Sequence, residues 1–193
     1  MRRNNATVTY ILIALNVIIY VFMTVSGHFD QIEAAGAMYV PAVLYDHQWY
    51  RVITSMFLHA DFRHIANNMI MLLVVGYSIE ERFGHIKYLI CYFIGGIGAT
   101  ALSSWWEMHL NNYSLGVGAS GAIMCVFAIM VVMNIKDRSN FDKTVGIRML
   151  LVLALMVFGN MGPGINWMAH LGGAICGLIF GVLLYRKKHY MTY

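Results

Sequence analysis

The sequence predicts an all-α polytopic membrane protein, a bundle of six transmembrane helices, on three observations. Of its 193 residues, 60% are hydrophobic and only 11% are charged, far from the make-up of a water-soluble domain. Several apolar runs are long enough to cross the hydrocarbon core of a bilayer. The basic residues fall in step with those runs, as they do when a chain crosses a membrane repeatedly. The length suits one bundle, so residues 1–193 are read as a single membrane domain without room for a separate soluble one.

The first span is the run from Val8 to Val25, interrupted by Asn16 and preceded by Met1-Arg2-Arg3-Asn4-Asn5. Its length, without a clear small-x-small cleavage site, favours a retained helix over a cleaved signal peptide. Residues 26–63 form a long first loop that mixes polar residues with Met38-Tyr39-Val40, Trp49-Tyr50 and Val52 to Leu58. Such a loop suits the interface, where Trp and Tyr anchor well. The second span, about 64–79, is polar at its start and closes at Glu80-Glu81-Arg82-Phe83-Gly84, with Gly84 as its stop. The third, about 88–104, contains Gly95, Gly96 and Gly98 for close packing and ends on Trp105-Trp106, before a polar loop from Glu107 to Leu115. The fourth covers about 120–134, and a charged loop from Lys136 to Lys143 leads to the fifth, about 145–158. Gly159-Asn160-Met161-Gly162-Pro163-Gly164 is rich in helix breakers, and the sixth span follows over about 165–185.

Six spans place both termini on one side. Arg2, Arg3, Arg82, Lys87, Lys136, Arg138, Lys143, Arg148, Arg186, Lys187 and Lys188 fall on that side, with only Arg51 and Arg63 opposite. By the positive-inside rule both termini are cytoplasmic. The net charge of +4 therefore speaks to topology and to a lipid bilayer as partner, not to nucleic acid. Cys91, Cys125 and Cys176 lie within apolar segments, without metal-ligand spacing, and read as packing residues.

The chemistry centres on Gly116-Val117-Gly118-Ala119-Ser120-Gly121, where glycines permit close backbone approach and Ser120 opens a helix. Unpaired amides and the positive end of the helix dipole at that point suit an oxyanion-stabilised nucleophile. A capping serine is the plainer alternative, and the partners decide between them. His170 lies roughly 7 Å along the sixth span, near the depth at which the fourth begins. His64 and Asn68, at i and i+4, share one side of the second span. All four enter from the outer face, and polar side chains in a membrane turn toward the bundle or a wet cavity. His170 is then the candidate base for Ser120; the Ser120 N–H, the His64 ring and the Asn68 amide are candidate oxyanion donors. The fifth and sixth spans contain no Asp or Glu, so the base works in a Ser–His dyad. His59, His64 and His170 could be imagined around zinc, but HExxH is missing and no metal is expected.

With those residues in place, the chain resembles the rhomboid intramembrane serine proteases in their minimal six-helix bacterial form. The resemblance runs from about Met38 to the end of the sixth span. It is carried by Trp49-Tyr50-Arg51, by His59, His64 and Asn68, by Glu80-x-Arg82-x-Gly84, by Gly118-Ala119-Ser120-Gly121, and by Ala169-His170-x-x-Gly173-x-x-x-Gly177. It implies Ser120 as nucleophile, His170 as base, His64 and Asn68 as oxyanion donors, and a Gly173/Gly177 face packing the sixth helix on the fourth. It also implies a half-sunk first loop, a mobile fifth helix and cap near Gly159 to Gly164, and a bacterial plasma membrane location. Single-pass membrane proteins would be cut near the extracytoplasmic face, with water as second substrate and no cofactor. Met124 is a departure, since many relatives carry an aromatic residue there that stacks on the histidine; its thioether could still pack the ring. The alternatives are a catalytically silent rhomboid-like protein that binds transmembrane clients, and a small transporter with a histidine proton relay. The second lacks an intramembrane carboxylate.

Overall fold

The computed structural model describes residues 5–136, 143–159 and 166–185. The basic residues at 2–3, 138 and 186–188 and the breaker-rich stretch 160–164 lie outside these. The first long helix, α1, spans Thr7–Val25. The expected first loop is itself largely helical: α2 Phe29–Gly36, α3 Val40–Leu44, α4 Arg51–Thr54, and a 3₁₀ turn at Ser55–Phe57. The next helical stretch is continuous but not uniform, with α5 Phe62–Met71, a π turn at Leu72–Gly76, and α6 Tyr77–Phe83. Then follow α7 His85–Leu110, α8 Ser120–Lys136, α9 Lys143–Phe158 and α10 Trp167–Leu184.

Two boundaries differ from the sequence reading in ways that matter. The helix α7 does not stop at Trp105-Trp106 but continues through Glu107 to Leu110, ending on Asn111 in the left-handed region with φ +48°. Polar and aromatic composition marks the membrane interface, yet no residue before Asn111 breaks the helix, so it runs on past that level. The helix α5 begins at Phe62 because Asp61 caps it, its carboxylate accepting the His64 N–H at 2.8 Å. Gly84, with φ +79°, makes the sharp corner between α6 and α7 that favours a residue without Cβ.

The core is organised around α8, whose residues from Gly121 to Met133 are buried apart from Met130. An apolar surface all round would suit lipid as well as a core, so it is the packing of its neighbours around it that buries α8. It lies between α7 and α10, and small residues set the spacing. A Cβ on Gly173 would collide with the Gly121 carbonyl, and one on Gly177 with the Cys125 carbonyl. That is the implied Gly173/Gly177 contact, the kind of close approach small residues permit between membrane helices. Thr7–Val25, His85–Leu110 and Trp167–Leu184 have the length and composition to cross a membrane, and Ser120–Lys136 and Val145–Phe158 are shorter apolar helices. Ile18, Val25, Leu155 and Leu183 are exposed on the outside of the bundle, where only lipid would suit them. The architecture is that of an all-α multi-pass membrane protein.

Among the described residues the one β-type pairing is an isolated bridge between Met38 and Gly116, each N–H donating to the other's carbonyl at 2.8 Å. Gly118 N–H donates to the Ser55 carbonyl at 2.9 Å. These three bonds pin the segment before Ser120 to the first loop.

Candidate active site

Ser120 is the first residue of α8, and the helix starts with the Ile123 N–H donating to the Ala119 carbonyl at 3.0 Å. Just before it, Gly118 adopts φ +121°, a conformation L side chains rarely enter. A Cβ there would also lie 2.7 Å from His64 Nε2 and 3.6 Å from Asn68 Nδ2. The backbone leading to Ser120 therefore passes beneath both side chains, and only glycine fits between. Asn68 is 7% exposed and its Nδ2 has no hydrogen-bond partner among the described residues. A buried amide donor without an acceptor is costly, and one that faces a cavity is poised for an incoming oxygen.

Across the cavity, His170 Nε2 lies 3.0 Å from Ser120 Oγ. Its other nitrogen, Nδ1, lies 3.3 Å from the Met156 carbonyl oxygen on α9. His170 is the fourth residue of α10, about 4.5 Å along its axis. Ser120, His170, His64, Asn68 and Met124 all line one cavity of about 1260 Å³ that opens at this end of the bundle. Met124 is buried, and a Cβ on Gly173 would sit 3.2 Å from its Cβ. The four chemistry-bearing residues singled out from sequence thus share one space. His59 does not line it: fully buried, it meets the His64 ring edge to face at 5.0 Å between centroids. Burial, with the neighbouring His64, pushes the His59 pKa down to about 4, so it packs as a neutral ring. Among the described residues no group of His, Cys, Asp and Glu could hold a metal ion.

The rhomboid domain family model matches residues 46–187. The chain belongs to the rhomboid family. Rhomboid protease AarA of Providencia stuartii is 30% identical, over 94% of this chain and 73% of that protein. RHOMBOID-like protein 2 of Arabidopsis thaliana is 30% identical over 82% of the chain, and Rhomboid protease GluP of Bacillus subtilis 25% over 92%. The chain spans only 50% and 35% of the length of these last two.

The other rhomboid motif residues frame the cavity rather than line it. Arg51, 7% exposed, donates through Nη1 to the carbonyls of Ala34 at 2.8 Å and Ala37 at 2.7 Å, and through Nε to Gln48 at 2.7 Å. Tyr50 Oη donates to the Ala35 carbonyl at 3.1 Å and Thr54 Oγ1 to Gly36 at 2.7 Å. Four successive carbonyls at the end of α2, which a helix leaves unpaired, are so satisfied from α4 and from Tyr50 just before it. Trp49 is exposed, as an interface anchor should be. Glu80, fully buried at the far end, accepts from the N–H groups of Val8 and Thr9 at 2.8 Å each and from Thr9 Oγ1 at 2.7 Å. It also meets His85 Nδ1 at 2.5 Å.

Sequence reasoning missed one side chain of this site, Asn166. Its Oδ1 accepts the Ala169 N–H at 3.0 Å, capping α10, while its Nδ2 donates to Ser103 Oγ of α7 at 2.5 Å. An Asn three residues before Ala169, at the mouth of an apolar helix, is a legible capping signal. The Met156 carbonyl was missed as well, and a backbone acceptor has no letter in the sequence.

Proposed function

We propose that this rhomboid is an intramembrane serine endopeptidase that hydrolyses single-pass membrane proteins near the extracytoplasmic face, with Ser120 as nucleophile and His170 as base. The reading includes six spans in one membrane domain with cytoplasmic termini, as the basic residues suggest. The observation that carries it is the 3.0 Å approach of His170 Nε2 to Ser120 Oγ inside a cavity that also holds Asn68 Nδ2 and His64.

In the proposed reaction Ser120 Oγ attacks the scissile carbonyl carbon as its proton passes to His170 Nε2. The carbonyl oxygen becomes an oxyanion, for which the Ser120 N–H, Asn68 Nδ2 and His64 are the donors. His170 returns the proton to the departing amine nitrogen, leaving the acyl group as an ester on Ser120. Water, deprotonated by His170, attacks that ester, and Ser120 Oγ leaves with the proton. A membrane helix buries its carbonyls in its own hydrogen bonds, so a substrate segment weakened by Gly or Pro near the site is the expected target.

Purified wild type should react with a fluorophosphonate probe and cleave a reconstituted single-pass substrate; Ser120→Ala should do neither, and His170→Ala should lose at least about two orders of magnitude in rate. Substantial hydrolysis by Ser120→Ala would overturn the assignment. A folded wild type that neither labels nor cleaves would transfer the case to a silent client-binding protein.

A further inference from the structure

We infer that the main-chain carbonyl of Met156 stands where a carboxylate stands in a three-membered Ser–His–acid site, holding His170 in the reactive tautomer and stabilising its imidazolium. The inference rests on the reading of Ser120 and His170 as nucleophile and base. A carbonyl oxygen can only accept, so the 3.3 Å contact assigns the proton of neutral His170 to Nδ1. The lone pair is then on Nε2, facing Ser120 Oγ at 3.0 Å, which is the state a general base needs. The opposite tautomer would set a lone pair against the carbonyl and an N–H against the hydroxyl.

The place of Met156 in its helix strengthens a neutral acceptor. It lies in the last turn of the 16-residue α9, among carbonyls whose usual donors fall beyond the helix end and where the dipole is negative. The neighbouring Leu155 carbonyl is already taken by the Gly159 N–H at 2.7 Å. When His170 gains the Ser120 proton, the Nδ1–H···O bond becomes charge-assisted and strengthens as the barrier is climbed. Two of the cavity's carboxylates are engaged elsewhere, Asp61 with the His64 N–H and Glu107 with Ser114 Oγ.

The orienting group sits on a lightly held helix. Leu153 and Val157 of α9 are buried, while Ile147, Leu151 and Leu155 are exposed. The contact of α8 with α10 sets the Ser120–His170 distance, but the seating of α9 sets the tautomer. Displacing α9 would leave the dyad in contact and its base unoriented. Met156 is thus a positioning residue through its backbone.

The test replaces Val157 with its α-hydroxy-acid analogue, turning the Met156–Val157 amide into an ester whose carbonyl accepts less well while every side chain stays. The same exchange at Leu153 controls for the lost helical N–H. The full chain is reconstituted in vesicles, with fluorophosphonate labelling, substrate kcat and KM, and the ¹⁵N resonances of His170 as readouts. The Val157 ester should lower kcat and labelling about tenfold with KM little changed, as weakening a hydrogen bond to a charged group would. The Leu153 ester should stay within about twofold of wild type, and wild-type His170 should show the Nδ1–H tautomer. Equal losses in the two esters, wild-type kcat in the Val157 ester, or an Nε2–H tautomer in wild type would each overturn the inference. A wild type that neither labels nor cleaves would instead overturn the underlying dyad, and this inference with it.

Discussion

Asn166 holds two helices with one side chain, and that is why a residue four positions from His170 should affect catalysis. Its Oδ1 caps α10 and its Nδ2 ties the same point to Ser103 of α7. Asn166→Ala should slow fluorophosphonate labelling about tenfold by losing a cap and a buried hydrogen bond, each worth about 1 kcal/mol. Asn166→Asp, which keeps the cap, should recover part of that rate; an unchanged rate in Asn166→Ala would refute the role. His59 predicts a pH effect of definite sign. Its folded pKa of about 4 lies below the ordinary 6.5, so below that value the unfolded chain binds the extra proton. Stability should therefore fall as pH drops from 6.5 toward 4, by up to about 3 kcal/mol from this residue. Detergent melting curves of wild type and His59→Phe, taken from pH 7.5 to 5, check this: the variant's dependence should be flatter, and parallel curves would refute it. At this scale Ser120, His170, His64 and Asn68 were legible because each is a polar residue whose position in an apolar span can be read. Asn68 Nδ2 and Gly118 explain each other only in three dimensions, where the amide lies over the glycine.

Helix ends, not helix centres, are where elements in this rhomboid acquire their meaning. The long apolar helices were visible in sequence because lipid demands long apolar runs. The helices of the first loop were not, since α3 and α4 are too short for a periodic pattern and depend on tertiary contacts. The Glu80 contact illustrates the same limit. It pairs the N-terminal amides of α1 with a carboxylate 71 residues away, at a helix start whose own Ala6 offers no side-chain cap. Glu80→Ala would leave the Val8 and Thr9 amides and the Thr9 hydroxyl unpaired in a buried place, at a cost of about 3–5 kcal/mol. Glu80→Gln retains an acceptor but loses the charge that complements the helix dipole, and should cost about half as much. Thermal unfolding in detergent, with protease sensitivity near α1, orders the three proteins; Glu80→Ala melting with wild type would show that α1 is held by other contacts.

For the whole molecule, orientation decides which compartment meets the cavity. Ser120, His64 and the Trp106 end of α7 line the cavity at one end of the bundle, while Glu80, Gly84 and the start of α7 lie at the other. Among the described basic residues Arg82, Lys87 and Lys136 lie toward this second end, the side that the positive-inside rule would give to the cytoplasm. Two exposed positions report on the two ends: Trp49, 60% exposed in the first loop, and Lys87, exposed at the start of α7. Each is changed to cysteine in a chain whose Cys91, Cys125 and Cys176 are replaced by alanine, an exchange that removes atoms and so adds no clash in the packed core. A membrane-impermeant maleimide added to intact cells should label Trp49→Cys directly and Lys87→Cys only after permeabilisation. The reverse pattern would place Ser120 toward the cytoplasm, contradict the charge argument, and move the expected cleavage site to the other side of the membrane.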